Sequence, residues 1–200
     1  METTESSENS STLFGEDKSW LAEAWIASDD RVRGGKSCSY LNPSRDVPGS
    51  ENNAVNFHGD LDITTLGGAG FASQRSPEKL EWDLSSGFEG LCLKVLDGDG
   101  KRYTLVIKDE ILPKRPDGRE QSTISWEYDF IGLKGDVRIA WDELKPTYRG
   151  KPTPDAKPLD LANIKRISIM MRSFFGDQEG PFSIELGCIA AVKSIKPSQS

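Results

Sequence analysis

The stretch that indicates the fold is Leu91-Cys92-Leu93-Lys94-Val95-Leu96-Asp97-Gly98-Asp99-Gly100-Lys101-Arg102-Tyr103-Thr104-Leu105-Val106-Ile107. Apolar residues occupy every second position before and after its Asp-Gly repeat. A period of two is typical of a β-strand with one buried face. Asp-Gly steps between two such runs are a strong signal for a turn that joins antiparallel strands. We therefore predict that strand 91–95 pairs with strand 103–107 in a β-hairpin.

Similar short runs follow one another along most of the chain. They span residues 37–41, 55–64, 71–75, 80–84, 124–130, 137–141, 167–171 and 182–186. Residues 18–26 and 161–164 have the spacing of short helical turns, and apolar residues on both parities predict a bulge near Gly187. The proline-rich segment 145–160 is expected to be irregular. Strands that follow strands without long helices predict an all-β fold, an antiparallel β-sandwich or jelly roll of about ten strands.

Composition favours a single folded domain between two tails. Of the 200 residues, 28% are charged, and the net charge is -7. Residues 1–17 are rich in Ser, Thr and Glu and are expected to form a disordered acidic tail. We place the β-sandwich domain at residues 18–193 and a flexible tail at residues 194–200. The negative charge argues against nucleic acid as a partner, and no apolar run is long enough for a transmembrane segment.

The residues needed for metal or nucleophilic chemistry are sparse. Cys38, Cys92 and Cys188 are far apart and lack a C-x-x-C pair, so we expect buried thiols and no zinc site. A nucleophile would have to use His58, the single histidine, and no G-x-S-x-G motif accompanies it. We therefore expect no enzyme activity and no cofactor.

Two glycine-rich stretches also favour structural roles. Residues 67–70 resemble a phosphate-binding loop, but residues 71–75 read as a strand, whereas phosphate binding needs a helix there. Residues 97–100 resemble the start of a calcium loop, but Arg102 stands where such a loop requires glycine. Tight turns are the better interpretation of both stretches.

The most distinctive loop is Ser28-Asp29-Asp30-Arg31-Val32-Arg33-Gly34-Gly35-Lys36-Ser37. Its arginines can form fork-like bonds to carboxylates, and its two glycine amides could bind an anion. We expect a structural corner or a docking surface, in which Arg31 belongs to a partly buried charge pair. A second basic spot lies at residues 148–151. The candidate partner-binding or structural residues are Asp29, Asp30, Arg31, Arg33, Gly34, Gly35, Arg149 and Gly150.

Residues 28–37 resemble the signature loop of the complex I intermediate-associated protein 30 family. The resemblance continues through a series of short motifs between about residues 20 and 192. They are Phe57-His58-Gly59-Asp60-Leu61, Gly70-Phe71-Ala72-Ser73-Gln74-Arg75, Gly90-Leu91-Cys92-Leu93, Asp99-Gly100-Lys101-Arg102-Tyr103, Trp126-Glu127-Tyr128-Asp129-Phe130, Trp141-Asp142-Glu143-Leu144-Lys145-Pro146-Thr147-Tyr148-Arg149-Gly150 and Gly180-Pro181-Phe182. One departure is Arg33, which stands where many members have methionine.

The resemblance implies a galactose-binding-like jelly roll without catalytic residues. It also implies a chaperone that binds intermediates of NADH:ubiquinone oxidoreductase (complex I) during assembly. The partners would be complex I subunits or other assembly factors, and the location would be mitochondrial. Residues 1–17 contain five acids and no Lys or Arg, unlike an import presequence, so a cytoplasmic location is the alternative.

Three other functions remain open. Similar sandwiches bind sugars, and five tryptophans are available for stacking, although Trp82, Trp126 and Trp141 fall on the apolar parity of their strands. This alternative is a carbohydrate-binding or small-ligand-binding module. A paralogue whose protein partner is not complex I is a second alternative. An enzyme that depends on His58 is the third.

Overall fold

The computed structural model describes residues 10–44, 54–77 and 80–196, in which two antiparallel sheets pack face to face. The strands of the first sheet are β1 (Ser10–Gly15), β3 (Cys38–Pro43), β4 (Val55–Leu61), β6 (Gly90–Gly98), β9 (Gly135–Ala140) and β13 (Gly180–Val192). Their order is β3-β4-β13-β6-β9, and β1 also pairs with β13.

The second sheet has seven strands within the described residues. They are β2 (Ile26–Ala27), β5 (Phe71–Arg75), β7 (Arg102–Lys108), β8 (Ser125–Ile131), β10 (Lys145–Tyr148), β11 (Lys151–Pro152) and β12 (Arg166–Arg172). Their order is β11-β10-β8-β7-β12-β5-β2. The helical elements are 3₁₀ turns at Ala22–Ala24, Asp30–Arg33, Trp141–Glu143 and Leu161–Asn163. The predicted all-β sandwich is confirmed.

The core lies between the two sheets and is filled by alternate residues of the strands. Leu91 and Leu93 of β6 are fully buried, as are Leu105 of β7 and Ile169 of β12. Burial of one such side chain contributes about 1.5–3 kcal/mol relative to its exposure. The period-two pattern therefore sets which face of each strand packs inward.

The predicted hairpin at residues 97–100 is wrong. Strand β6 pairs with β13 and β9, whereas β7 pairs with β12 and β8, so this segment crosses from one sheet to the other. A Cβ on Gly98 would overlap the carbonyl oxygen of Gly132, which explains the glycine at the crossing. Asp99 fixes the crossing by accepting bonds from the Tyr103 hydroxyl and the Ser183 amide, each at 3.0 Å. Alternation shows which face is buried, but two strands facing each other across a core satisfy it as well as two paired strands.

The expectation of a disordered tail through residue 17 is wrong for residues 10–15. They form β1, which pairs with β13 between Ser10↔Val192 and Gly15↔Cys188. Phe14 is buried, and its ring centroid lies 5.5 Å from that of Trp20. Backbone pairing and two buried apolar side chains hold this segment despite its polar composition. Residues 1–9, and residues 197–200 of the predicted C-terminal tail, lie outside the described residues.

Three local expectations also need correction. Residues 80–84 form a single bridge between Trp82 and Ile164 instead of a strand. The expected helix at 18–26 is limited to the 3₁₀ turn Ala22–Ala24 and is followed by β2. The proline-rich segment 145–160 contains the paired strands β10 and β11. Pro152 is accommodated because β11 is the edge strand of the sheet.

Two other local expectations are confirmed. The register of β13 shifts between Leu186 and Cys188, which is the predicted bulge at Gly187. The helical turn expected at residues 161–164 is present as Leu161–Asn163.

We expect Phe14→Ala to destabilise the protein by about 3–5 kcal/mol, because the change leaves a cavity among packed rings. Urea unfolding followed by tryptophan fluorescence measures this loss. Phe175→Ala is the matched control, since the Phe175 side chain is 93% exposed. Equal stabilities of the two variants would contradict the assignment of β1 to the folded sandwich.

Candidate functional site

The corner, defined as residues 28–37, is where the chain passes from the second sheet to the first. The amide of Ser28 donates to the carbonyl of Ser73 at 2.7 Å and continues the pairing along β5. The 3₁₀ turn Asp30–Arg33 then reverses the chain, and β3 begins at Cys38. The corner therefore contacts the adjacent edges of both sheets.

Asp29 joins those two edges. It is 3% exposed, and its carboxylate accepts bonds from the Ser39 hydroxyl at 2.6 Å and the Ser39 amide at 3.2 Å. The same carboxylate accepts a bond from the Ser73 amide of β5 at 2.9 Å. Because Ser39 belongs to β3, one side chain ties the first sheet to the second.

Asp30 makes a second connection of the same kind. It is fully buried, and it accepts bonds from the Ser37 hydroxyl at 2.7 Å and the Ser37 amide at 3.1 Å. It also accepts a bond from the Phe71 amide of β5 at 3.1 Å. Bonds to a charged acceptor are stronger than bonds between neutral groups, and they offset the cost of burying the carboxylate.

Arg31 contributes less than we expected from the sequence. Its guanidinium lies 2.9 Å from Asp29, but the Arg31 side chain is 58% exposed. Solvent screens such a pair, and Asp29 keeps its three other donors without it. The expected partly buried charge pair is therefore buried only on the aspartate side.

The glycines shape the corner and are not arranged to bind an anion. The Gly34 amide donates to the Arg31 carbonyl at 3.1 Å, and the Gly35 amide donates to the Asp30 carbonyl at 3.2 Å. Gly34 has a φ of 85°, which favours glycine. A Cβ on Gly35 would overlap the Asp30 carboxylate. Both amides are already donated within the turn, so neither is directed at an anion.

The remaining side chains of the corner point to solvent. We define the corner tip as Arg31, Val32, Arg33 and Lys36, all of which are exposed. Val32 is 79% exposed. The Arg33 guanidinium lies 5.6 Å from the centre of the Phe71 ring. The corner thus keeps its acids inside and presents its cations and one apolar residue outside.

The loop 173–178 is attached to the same strand as the corner. The Ser173 amide donates to the Gly70 carbonyl at 2.9 Å, and the Gly70 amide donates to the Ser173 hydroxyl at 3.1 Å. Phe174 and Phe175 have φ values of 48° and 63°, in the left-handed region. The Phe174 ring lies under the Arg102 guanidinium at 3.4 Å, whereas Phe175 is 93% exposed.

The second basic spot lies elsewhere. Arg149 and Gly150 form the turn between β10 and β11, with φ values of 53° and 76°. The Arg149 Nε donates to the Ser122 hydroxyl at 3.1 Å. Strand β10 lies four positions from β5 in the sheet, roughly 19 Å at the usual strand spacing. The structure therefore does not bring Arg149 and Gly150 together with the corner.

Sequence reasoning missed the partners of the two aspartates. Ser37, Ser39 and Ser73 supply the hydroxyl and amide donors, and Gln74 adds a bond from its Nε2 to the Ser39 carbonyl at 2.9 Å. A signal was present, because Ser37 and Ser39 share the parity of the buried Leu41. Polar residues on an apolar parity indicate that buried acceptors lie nearby.

His58 shows no arrangement of a catalytic base. Its Nε2 lies 2.9 Å from the Asn42 side-chain nitrogen, and its ring stacks on Tyr40 at 5.4 Å. Burial raises the pKa of Cys188 to about 12, which keeps that thiol protonated. Among residues 10–44, 54–77 and 80–196, no three His, Cys, Asp or Glu side chains are grouped to hold a metal ion. In the same ranges, no helix is both long and apolar enough to cross a membrane.

The outer face of the second sheet carries ion pairs. Arg172 binds Glu127 and Asp129, each at 2.7 Å, while Glu120 pairs with Arg75 and Arg166. Burial alone would raise the pKa of Glu120, but hydrogen bonds from Arg166 and Arg75 outweigh it and lower the pKa below 4.5. The two Glu120 pairs hold the loop that carries Glu120 against the sheet.

None of the five tryptophans is exposed. Trp20, Trp25 and Trp126 are buried, and Trp82 and Trp141 are partly buried against the core. Stacking on a sugar ring needs an accessible aromatic face. Trp126 is buried, as its strand parity predicts, whereas Trp82 and Trp141 are only partly buried.

Comparison with known sequences gives a clear family match. The profile of the family described as complex I intermediate-associated protein 30 matches residues 13–186. The uncharacterized protein C9E9.15 of Schizosaccharomyces pombe is 41% identical over 190 residues, which cover 92% of this chain and 85% of the relative.

Comparison with solved structures agrees on the architecture. The family 11 carbohydrate-binding module of the cellulase Lic26A-Cel5E from Clostridium thermocellum gives a TM-score of 0.57 at 14% identity. The match covers 92% of this chain and 94% of the module. A second structure of a family 11 module from Clostridium thermocellum, in complex with a mixed-linked tetrasaccharide, gives 0.55 at 15% identity, covering 92% and 96%. At such low identity the likeness shows the jelly-roll fold alone.

We expect Asp30→Asn to destabilise the protein by at least about 1–3 kcal/mol. In either orientation of the asparagine, its amide nitrogen faces a backbone amide, that of Ser37 or that of Phe71, and a buried donor left without a partner has this cost. Arg31→Ala should cost less than about 1 kcal/mol because the Arg31 side chain is largely exposed. Urea unfolding of both variants measures the difference, and a larger loss for Arg31→Ala would contradict the account of the corner.

We also expect the Glu120 carboxylate to make the stability of the protein depend on pH. Because its folded-state pKa is lowered, Glu120 adds stability above its unfolded pKa, and this contribution is lost as the pH falls through the folded pKa. Glu120→Gln should therefore be less stable than wild type near neutral pH, and the gap should narrow as the pH falls below the ordinary pKa of a glutamate. Urea unfolding across pH tests this, with the exposed Glu179→Gln as control. A gap that stays constant with pH would refute it.

Proposed function

This chain belongs to the complex I intermediate-associated protein 30 family, and we propose that it is a non-enzymatic assembly factor that binds protein intermediates of complex I. Family membership associates it with complex I assembly, and the chaperone activity and the mitochondrial location are our proposals. The proposed partners are complex I subunits or other assembly factors.

The observation that carries the proposal is the rigid corner. Buried Asp29 and Asp30 bind the strands on both sides, so the backbone that carries the corner tip is anchored to both sheets. A surface that is already ordered loses less entropy on binding. Exposed arginine beside apolar side chains is also the composition typical of interface centres.

A binding role fits the chemistry of the described residues better than catalysis does. His58 contacts an amide and a tyrosine ring, and the pKa of the Cys188 thiol is raised by burial. Neither arrangement activates a nucleophile, which needs an adjacent base or a lowered pKa. The carbohydrate alternative rests on a likeness that shows the fold alone, and no exposed tryptophan supports it.

Affinity purification at native expression tests the proposal. The tag is placed at the C-terminus so that the N-terminus stays free, and a fluorescent version reports the compartment. We expect mitochondrial fluorescence and co-purification of complex I subunits or assembly factors. Deletion of the gene should reduce assembled complex I on native gels and leave a smaller intermediate.

Two results would contradict this proposal. Normal complex I after deletion, with no complex I protein recovered, would overturn it. Recovery of a different set of proteins under the same conditions would instead favour the paralogue with another partner.

A further inference from the structure

We propose that the outer face of the second sheet carries a binding site for a small organic phosphate, which displaces the Glu120 carboxylate from two arginines. The site lies under the segment between β7 and β8, residues 109–124, which we call the strap. The proposed function does not require a phosphate ligand, so this inference is independent of it.

Three cationic side chains meet under the strap. Arg75 of β5 and Arg166 of β12 both pair with Glu120, and their side chains are only 13% and 6% exposed. Arg166 binds Glu120 through both Nη atoms, at 2.9 and 3.3 Å. Lys108, the last residue of β7, lies opposite Arg166 in the register of β7 and β12. The second sheet therefore gathers these cations at one place on its outer face.

Two of these cations lack part of the negative charge or the acceptors that they require. The Lys108 Nζ donates to the hydroxyl and the carbonyl of Thr123, which are neutral groups, and Lys108 makes no ion pair within the described part of the chain. Burial, followed by the charge of Arg166, lowers the pKa of Lys108. The Arg166 Nε is buried and has no acceptor among the described residues. Polar groups left in this way are typical of functional sites.

The acids nearest to Lys108 are engaged by other groups. Glu127 binds Arg172 at 2.7 Å, and Asp109 accepts a bond from the Asp160 amide at 2.9 Å. The Glu120 carboxylate is shared by two arginines. An added anion would therefore compensate positive charge that these acids leave in excess.

A cavity of about 350 Å³ opens beside Glu120 and Arg166. Its apolar lining consists of Leu80 and of residues 111–113 of the strap. The volume lies within the range of about 300–1,000 Å³ that is usual for small-molecule sites, which combine apolar walls with a few polar groups. The cavity can therefore accept an apolar group that is attached to an anion bound by Arg166.

The charged lining of the cavity favours an anionic ligand. It contains three cations and two acids, namely Lys114, Lys165, Arg166, Glu81 and Glu120. Lys165 makes no ion pair within the described ranges, and its side chain is partly exposed. Once a ligand displaces Glu120, three cations and one acid remain in the lining. This excess of positive charge lies on a chain whose net charge is -7.

A phosphate monoester fits the cluster better than a carboxylate does. It carries a charge of about -1.5 to -2 near neutral pH and three acceptor oxygens, whereas Glu120 supplies one charge and two oxygens. Arginine binds phosphate through paired N–H donors. The phosphate would pair with Arg75 and Arg166 in place of Glu120, and its ester group would lie in the apolar part of the cavity.

The strap can release Glu120 without disrupting the sheet. Residues 110–121 are exposed throughout, and the Glu120 side chain is 34% exposed. The strap keeps a separate attachment near its end, where Thr123 accepts from Lys108. Exchange of one anion for another also leaves the two arginines paired.

Calorimetric titration of the full-length protein with phenyl phosphate tests the site. We expect phenyl phosphate to bind, inorganic phosphate to bind more weakly, and benzyl alcohol not to bind. Arg166→Gln should weaken phenyl phosphate binding at least about tenfold. Arg138→Gln, which removes an ion-paired arginine from the first sheet, is the matched control and should bind as wild type does.

A variant of the cavity wall tests the position of the apolar group. Leu112 is 37% exposed, so Leu112→Ala should fold normally. It should lower the affinity for phenyl phosphate at least about threefold and leave the affinity for inorganic phosphate unchanged. This measurement also decides the inference if Arg166→Gln does not fold.

Glu120→Gln tests the displacement itself. The ligand need not displace a carboxylate from this variant, so phenyl phosphate should bind it at least about tenfold more tightly than wild type and raise its melting temperature further. Asp129→Asn is the matched control, because Asp129 also pairs with an arginine of this face, Arg172, at 2.7 Å. Its affinity for phenyl phosphate should equal that of wild type.

Three results would overturn the inference. The first is that neither wild type nor Glu120→Gln binds phenyl phosphate. The second is that wild type, Arg166→Gln and Glu120→Gln bind it equally, which would show adventitious association with the surface. The third is that benzoate binds Glu120→Gln as tightly as phenyl phosphate does, which would exclude selection of a phosphate. None of these results alters the test of the complex I partner.

Discussion

The structure depends on two buried carboxylates that bind across the gap between the sheets. Asp29 accepts from β3 and β5, and Asp30 accepts from Ser37, immediately before β3, and from Phe71 of β5. Among the described residues at this edge, no row of backbone bonds connects the two sheets, because their strands belong to separate ladders. The apolar core favours contact between the sheets but is not directional. The aspartates supply the direction, since each bond has a defined donor and distance.

This constraint explains why the residues of the corner depend on one another. A carboxylate in a dry environment requires donors on every side, and the corner provides them from serine hydroxyls and strand amides. Gly35 is required because any side chain there would occupy the space of the Asp30 carboxylate. Gly34 closes the 3₁₀ turn with a positive φ. The residues of the loop are therefore interdependent, and the loss of one leaves polar groups of the others unsatisfied.

The sequence predicted the fold class and most strand positions because burial of alternate residues produces a period-two pattern of apolar residues in the sequence. It predicted the partners of strands poorly. The Asp-Gly repeat at 97–100 suggested a hairpin, but β6 and β7 face each other across the core. Hairpin and crossing place the same residues inside, so only long-range contacts such as Gly98 against Gly132 distinguish them. Strand β1 was missed for a related reason, since its backbone pairing with β13 requires no apolar pattern.

The candidate site was predicted in composition but not in the direction of its side chains. Asp29 and Arg31 were expected to act together, yet the aspartate faces the core and the arginine faces solvent. That division has a functional consequence. The inward acids are set by the fold and cannot change without leaving strand amides unpaired. The outward residues are not restricted in this way, so the exposed Arg33 can be replaced at little cost in stability. The corner therefore maintains the sandwich through its inward acids, while its outward side chains can differ without breaking those bonds.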